Sequence, residues 1–485
     1  MKTALNLSFL LLLALTISCS GSSDPGTPGG TGGAAGAGGM GGNGGAAGSG
    51  GIGGDGGAAG SGGIGGDGGA AGSGGIGGEG GAGGTGGIVF NCHPSVPTFL
   101  SQWGLFSDIR NQVPEDGVIP FEVTSPLYTD GALKHRFVTL TQGGTIDYSN
   151  DTTRWDSPVG TIYAKTFAYP PNLDDAETDG LEQLIETRLM VHVDAEDDRR
   201  GCNGADSCWQ VHVYVYNDEM TDAICQGGGV TVSVTYTDPI EKECSDTGTP
   251  CEVEGDCPGA GNTCANVQET VPNYGVPDNG ACRRCHGTDS RTLGPSTGMF
   301  NRGNDYGGNL VANQIDQLYG LGMLAPEPPP EGLRTTYVDP VLYTEACGTP
   351  ECSHEAARSY LDSNCAHCHA PDGEASGTGV FLDYASMDPT NPTQADFRSW
   401  GVCKVPTSAG NVMNCGDATW DVLPGDPDSS ILLCRINSII PGEMMAPLGR
   451  SLVDQDGYEV IRRWITDLPL LFDDIPLCSS GAAAP

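Results

Sequence analysis

Basic residues are scarce in this chain. Its 485 residues hold 22 Lys and Arg against 61 Asp and Glu, a formal charge of -39. That balance argues against nucleic acid as a partner and favours cationic or weakly charged ones, although the same acidity also serves simply to keep an exported protein soluble. Long apolar runs are few. The run Phe9–Leu15 follows a lone Lys2 and is too short to cross a bilayer, the pattern of a secretory signal, and no other segment is long and apolar enough to span a membrane. Proline is missing between Gly30 and Gly87, where glycine occupies every third position. Collagen needs that period together with abundant proline, so a flexible tether is the better reading, spanning roughly 45 Å as a random coil. The middle of the chain shows no paired carboxylates, phosphate loop or nucleophile triad, and no exposed aromatic array that would argue for a polymer-binding surface.

Thr16-Ile17-Ser18-Cys19 resembles a bacterial lipobox, with Thr16 where an aliphatic residue is usual. The expectation is a signal over 1–18 and a lipidated, Gly-rich tether over 19–88. Cys19 would then anchor an exported protein to the outer membrane, facing the periplasm or the cell surface. Of the 19 cysteines, one is Cys19 and four belong to the two motifs described below. The even remainder predicts disulfides in an oxidising compartment. Sequence neighbours are the plausible pairs: Cys202 with Cys208, Cys347 with Cys352, Cys403 with Cys415, and a stapled loop made by Cys244, Cys251, Cys257 and Cys264.

From about Val89 the pattern is β. Val211, Val213 and Val215 alternate with His212, Tyr214 and Tyr216, Val230, Val232 and Val234 alternate with Thr231, Ser233 and Thr235, and Arg188–Val193 reads as another strand. An antiparallel sheet with one wet face is expected over 89–275, carrying a Cys-rich insertion at 244–264. From about Ala281 short helices are expected. Ser353 is a candidate cap for a helix running into Cys365, and Tyr458, Ile461, Trp464, Ile465 and Leu468 form a helical stripe that starts near Asp454 or Asp456.

Cys282-Arg283-Arg284-Cys285-His286 and Cys365-Ala366-His367-Cys368-His369 both read Cys-x-x-Cys-His, the attachment pattern of c-type haem. Two thiols three residues apart reach the two vinyl groups on one side of a porphyrin, and the next imidazole then falls beneath the iron. At this composition chance supplies on the order of 0.01 such motifs per chain. A zinc ribbon would want its cysteine pairs about 15–20 residues apart rather than some 80. Two covalent haems, with His286 and His369 as iron ligands, are therefore expected. For a distal ligand, Met445 is preferred in the turn Pro441–Arg450, with Met444 as the alternative. Met323 and Met299 are candidates for the first haem, and His354 is a further one. His135, His192 and His212 lie in β-type segments, where core or surface histidines are the default.

Together with Leu105-Phe106, Ser125-Pro126-Leu127-Tyr128-Thr129-Asp130, Lys134-His135-Arg136-Phe137, Pro158-Val159-Gly160-Thr161, Leu184–Leu189, Tyr360–His369 and Pro424-Gly425-Asp426-Pro427, these residues make the chain resemble the bacterial dihaem c-type cytochromes whose haem region follows a β-rich N-terminal part. It departs from that family at Pro447, one position later than the family's Met-Pro pattern, and in the extra cysteine cluster. The resemblance implies an α+β multidomain protein, with a mainly helical cytochrome c-like dihaem region over 276–480 and an electron-transfer role toward redox protein partners. Two other functions stay open: a dihaem oxidoreductase or peroxidase-like enzyme with one open coordination position and an unknown small-molecule substrate, and a surface binding module with accessory haems.

Overall fold

The computed structural model describes Cys92 and residues 95–151, 153–169, 182–194, 202, 205–227, 229–245, 247–253, 256–259, 262–287, 292–308, 310–340, 348–407 and 414–478. The signal, Cys19, the glycine tract and Cys347 lie outside these residues.

The chain is α+β, with an antiparallel β-rich region followed by helices. Six strands follow one another as a meander: β1 (Ile119–Phe121), β2 (Leu133–Thr139), β3 (Ile162–Tyr169), β4 (Gln183–Asp194), β5 (Ser207–Tyr216) and β6 (Ala223–Gln226). A separate two-stranded ribbon pairs β7 (Val230–Cys244) with β8 (Cys264–Val276). The alternating valines of β5 face one way and His212, Tyr214 and Tyr216 the other, as the period-2 pattern requires.

The expected wet face is not there. One face, with Phe137, Ala164, Leu189, Val191 and Tyr214, closes on a core that includes Leu100 and Leu105. The other carries Phe167 and Val213, which pack with Tyr274 and Val276 of β8, and Val138 and Tyr163, which pack with Phe300, Ile315 and Leu318. Polar and charged residues at alternate positions had the signature of a solvated face, but they line an internal space instead.

The helices are α1 (Asn279–His286), α2 (Thr297–Phe300), α3 (Gln314–Gly320), α4 (Pro350–Asn364), α5 (Gln394–Ser399), α6 (Ile431–Ile436) and α7 (Gln455–Leu471). Helix α4 is capped by Thr349, whose side chain accepts from the Cys352 amide at 3.3 Å; Ser353 instead bonds back to the Pro350 carbonyl at 2.8 Å. Helix α7 starts at Asp454, which accepts from the Gly457 amide at 3.0 Å. Its stripe packs on α4, with Val460, Ile461, Trp464, Ile465 and Leu468 all fully buried. Full burial of each contributes roughly 1.5–3 kcal/mol relative to exposure. The two helices touch at Gly457, where any side chain would overlap the Tyr360 ring.

The disulfides fit an oxidising, extracytoplasmic compartment. Cys202 pairs with Cys208 as expected, and the stapled loop is closed by Cys244–Cys257 and Cys251–Cys264. The expected Cys403–Cys415 pair does not form. Cys403 joins Cys478 and Cys415 joins Cys434, because the packing of α6 and the C-terminal segment brings distant cysteines closer than sequence neighbours. Cys92 reaches Cys225 on β6, and Cys352 is also disulfide-bonded.

Candidate cofactor site

Among the described cysteines the four that remain as free thiols are Cys282, Cys285, Cys365 and Cys368, the four of the two Cys-x-x-Cys-His motifs. The first motif is helical. Asp278 caps α1 by accepting from the Ala281 amide at 2.7 Å, and Gly287, at a φ of 75°, ends it. In a helix Cys282, Cys285 and His286 are spaced i, i+3 and i+4, so both sulfurs and the imidazole share a face. The second motif is a turn closing α4. The Cys365 amide donates to the Leu361 carbonyl at 2.8 Å, the His369 amide donates to the Cys365 carbonyl at 2.8 Å, and the Leu382 amide secures His369 from outside at 2.7 Å. Gly373 lets the chain pass over this turn; a side chain there would strike the Cys368 carbonyl.

The motifs, 83 residues apart in sequence, lie against each other. The Cys285 thiol hydrogen-bonds the Cys368 sulfur, which holds Cys285 protonated and makes Cys368 the more acidic of the two. The Cys368 sulfur also sits 3.8 Å from the Arg284 carbonyl, and Arg284 reaches Glu374 at 3.4 Å. Burial pushes the Cys365 thiol up to about 12 and raises Cys282 as well. Burial lowers His369, which keeps its ring neutral, the form that offers a lone pair to a metal. The Nδ1 atoms of His367 and His369 are buried without a well-formed hydrogen bond, although the Val380 backbone runs beside His369.

A cavity of about 580 Å³ opens beside both motifs. That lies within the roughly 300–1,000 Å³ of small-molecule and cofactor sites. Cys282, Cys285 and His286 line it from α1, Cys365 and His367 from the second motif, and Met445 and Arg450 from the C-terminal loop. Met299 borders it, whereas Met444 and Met323 are not among its lining residues; Met323 packs instead with the cluster around Ile146 and Leu324. The residues fit a covalent porphyrin at the first motif: the Cys282 and Cys285 thiols, the His286 imidazole and the Met445 thioether line one largely apolar space, with Cys365 and His367 from the second motif, whereas Cys368 and His369 are not among its lining residues.

The loop bearing Met445 is tightly held. The Met445 amide donates to the Arg435 carbonyl at 2.9 Å, and its carbonyl accepts from Arg450 at 2.7 Å. Arg435 donates to the Glu443 carbonyl at 2.7 Å, and Glu443 accepts from Asn414 at 2.8 Å, next to the Cys415–Cys434 bridge. From the sheet side, Asp130 accepts from the Ser451 amide and hydroxyl and from the Leu452 amide, at 2.7–2.9 Å.

His354 is no ligand. Its Nε2 bonds the Met387 carbonyl and its Nδ1 accepts from the Trp464 indole, each at 3.0 Å, and burial depresses it to about 4. His135 meets Glu182, His192 stacks on Trp209, and His212 is buried on the sheet. Two other groupings of cysteine and carboxylate, Cys244 with Cys251 and Cys257, and Cys415 with Cys434 and Glu443, have their sulfurs tied up in disulfides and keep no thiolate for a metal.

Sequence reasoning missed the sheet's part of the wall. Lys134, Arg136, Lys165, Arg188 and Met190 all border the cavity. Burial, with Arg188 and Arg136 alongside, depresses the Lys165 amine to about 7, and burial holds Lys134 well below the usual lysine range. The available signal was the alternation of Lys134 with Arg136 in a β-type segment of a chain so poor in basic residues. Among known proteins, no family model, no curated protein and no solved structure matches this chain.

Proposed function

We propose that the chain is an exported, lipid-anchored c-type cytochrome that carries two covalent haems and passes electrons between redox partners outside the cytoplasm. The observation that carries this reading is that, among the described cysteines, the four left as free thiols are those of the two Cys-x-x-Cys-His motifs, which touch through Cys285 and Cys368 beside one cavity. Cys282 with Cys285 and Cys365 with Cys368 would supply the thioethers, His286 and His369 the proximal imidazoles, and Met445 a distal sulfur. Bound haem iron supplies one-electron chemistry between ferrous and ferric states. The chain's own work is to orient the imidazoles through α1 and the turn after α4, to exclude water with the sheet and the α4–α7 core, and to keep the two attachment points adjacent. Cys19 as the lipid anchor belongs to the same reading.

Protein matured with a haem-ligation system is expected to carry two haems per chain that survive acid-acetone extraction. Replacing Cys282 and Cys285 by serine should leave one. Extractable haem, or a wild type with one haem, would sink the reading of the first motif.

A further inference from the structure

The cavity wall contributed by the sheet has an unusual charge pattern. Across three neighbouring strands Arg136 pairs with Lys165 and Lys165 pairs with Arg188, directly opposite one another on the same face, and Lys134 sits one position along from Arg136 on that face. Like charges placed opposite each other in an antiparallel sheet destabilise it. Here Arg136 is buried and the other three are half-buried, which adds to the cost.

Resident carboxylates offset part of this charge. Glu186, fully buried, takes Arg188 at 2.5 and 3.0 Å and the Tyr274 hydroxyl at 2.9 Å; Glu122 takes Arg136 at 2.8 Å. Asp278 and Asp454 border the cavity too, but each is engaged as a helix cap. Among the described residues the two lysines meet no carboxylate. Lys134 rests on the Ala132 carbonyl at 2.9 Å, and Lys134 and Lys165 lie 5.8 and 5.5 Å from the centre of the Phe167 ring, which Arg188 also covers at 4.1 Å. In a chain of net charge -39, four of only 22 basic residues thus stand on one wall of the cavity.

We propose that this row is a carboxylate-binding wall for a dianionic ligand and, resting on the function proposed above, that the carboxylates it takes are the two propionates of the haem held at Cys282 and Cys285. The competing source of the same chemistry is a soluble dicarboxylate or phosphate. A porphyrin that is tethered by its thioethers brings its own pair of carboxylates into the cavity, so each lysine gains a counter-ion without a diffusing partner. The positive wall in turn disfavours the ferric charge of the nearby iron and raises its potential.

The test uses the full-length protein matured with both haems. Redox potentiometry should resolve two midpoint potentials in the wild type. Lys165→Gln should lower one of them and leave the other in place, Lys165→Arg should restore it, and Lys134→Gln should move the same haem in the same direction. Two haems with unchanged potentials in both glutamine variants would overturn the proposal. Calorimetric titration of the wild-type holoprotein with succinate and with inorganic phosphate separates the sources: saturable binding lost in Lys165→Gln would overturn the propionate assignment in favour of a solution anion. Fewer than two haems in the wild type would instead overturn the underlying function, and is read from the haem stoichiometry before any variant is compared.

Discussion

The two attachment motifs share a sequence pattern but sit in different surroundings. The first is part of a regular helix, α1, laid against a sheet whose facing residues are cationic. The second is a turn at the end of α4, backed by an aromatic and aliphatic core in which Trp400, Trp464 and His354 meet. Identical local chemistry is thus placed in one charged and one apolar setting. Environment, more than the ligating atoms, is what tunes a redox group, so the comparison teaches that two equal motifs should give two unequal centres.

The strongest way to break that comparison is to remove the proposed distal ligand from one motif alone. Met445→Ala is expected to convert the second haem from low spin to high spin and to lower its potential, leaving the first unchanged, because Cys365, Cys368 and His369 still hold the second haem and the first has its own His286. The charge-transfer absorption that marks ferric iron bound by methionine sulfur should vanish. Met444→Ala should keep it, in line with a cavity bordered by Met445 and not by Met444. Loss of the band in Met444→Ala alone would reverse that assignment.

Next come the staples of the two halves. Cys403–Cys478 closes a separation of 75 residues in the helical half, and Cys202–Cys208 one of only 6 beside the sheet. Loop-closure entropy assigns about 4 kcal/mol to the long loop and about 2 kcal/mol to the short one. Denaturant titration of the two double-serine variants should rank them in that order. Equal losses would mean that the helical half is held by packing alone.

A further effect is a titration confined to the helical half. With its pKa near 4, His354 stays neutral in the folded protein while an unfolded histidine takes up a proton near 6.5. The unfolded state binds more protons in between, so stability should fall as the pH drops from about 6.5 to about 4 and then level off with respect to this group. His354→Gln should flatten that part of the stability profile in comparison with wild type. An unaltered slope would place the acid sensitivity elsewhere.

Much of the helical half was legible because its signals are local: the stripe Ile461, Trp464, Ile465, Leu468 and the cap Asp454 need only a helical period to be read. The motif cysteines were legible because spacing itself is their chemistry. The long disulfides were not, since Cys403 and Cys478 meet through the packing of everything between them. Nor was the cationic wall, because alternation tells that Lys134 and Arg136 share a face and says nothing of what that face looks upon. The setting of His354 was illegible for a related reason: its partners, Trp464 and Met387, come from other parts of the chain.

Asp130 has a consequence for motion. Held at a φ of 48° on the turn before β2, it grips three donors on Ser451 and Leu452, just past the arginine-clamped loop of Met445. It acts as a hinge pin driven through both halves: the loop cannot swing out without dragging the sheet edge along. If Met445 serves as the distal ligand proposed above, a thioether on a loop so held would keep its station through oxidation and reduction alike, and little nuclear rearrangement would accompany each electron.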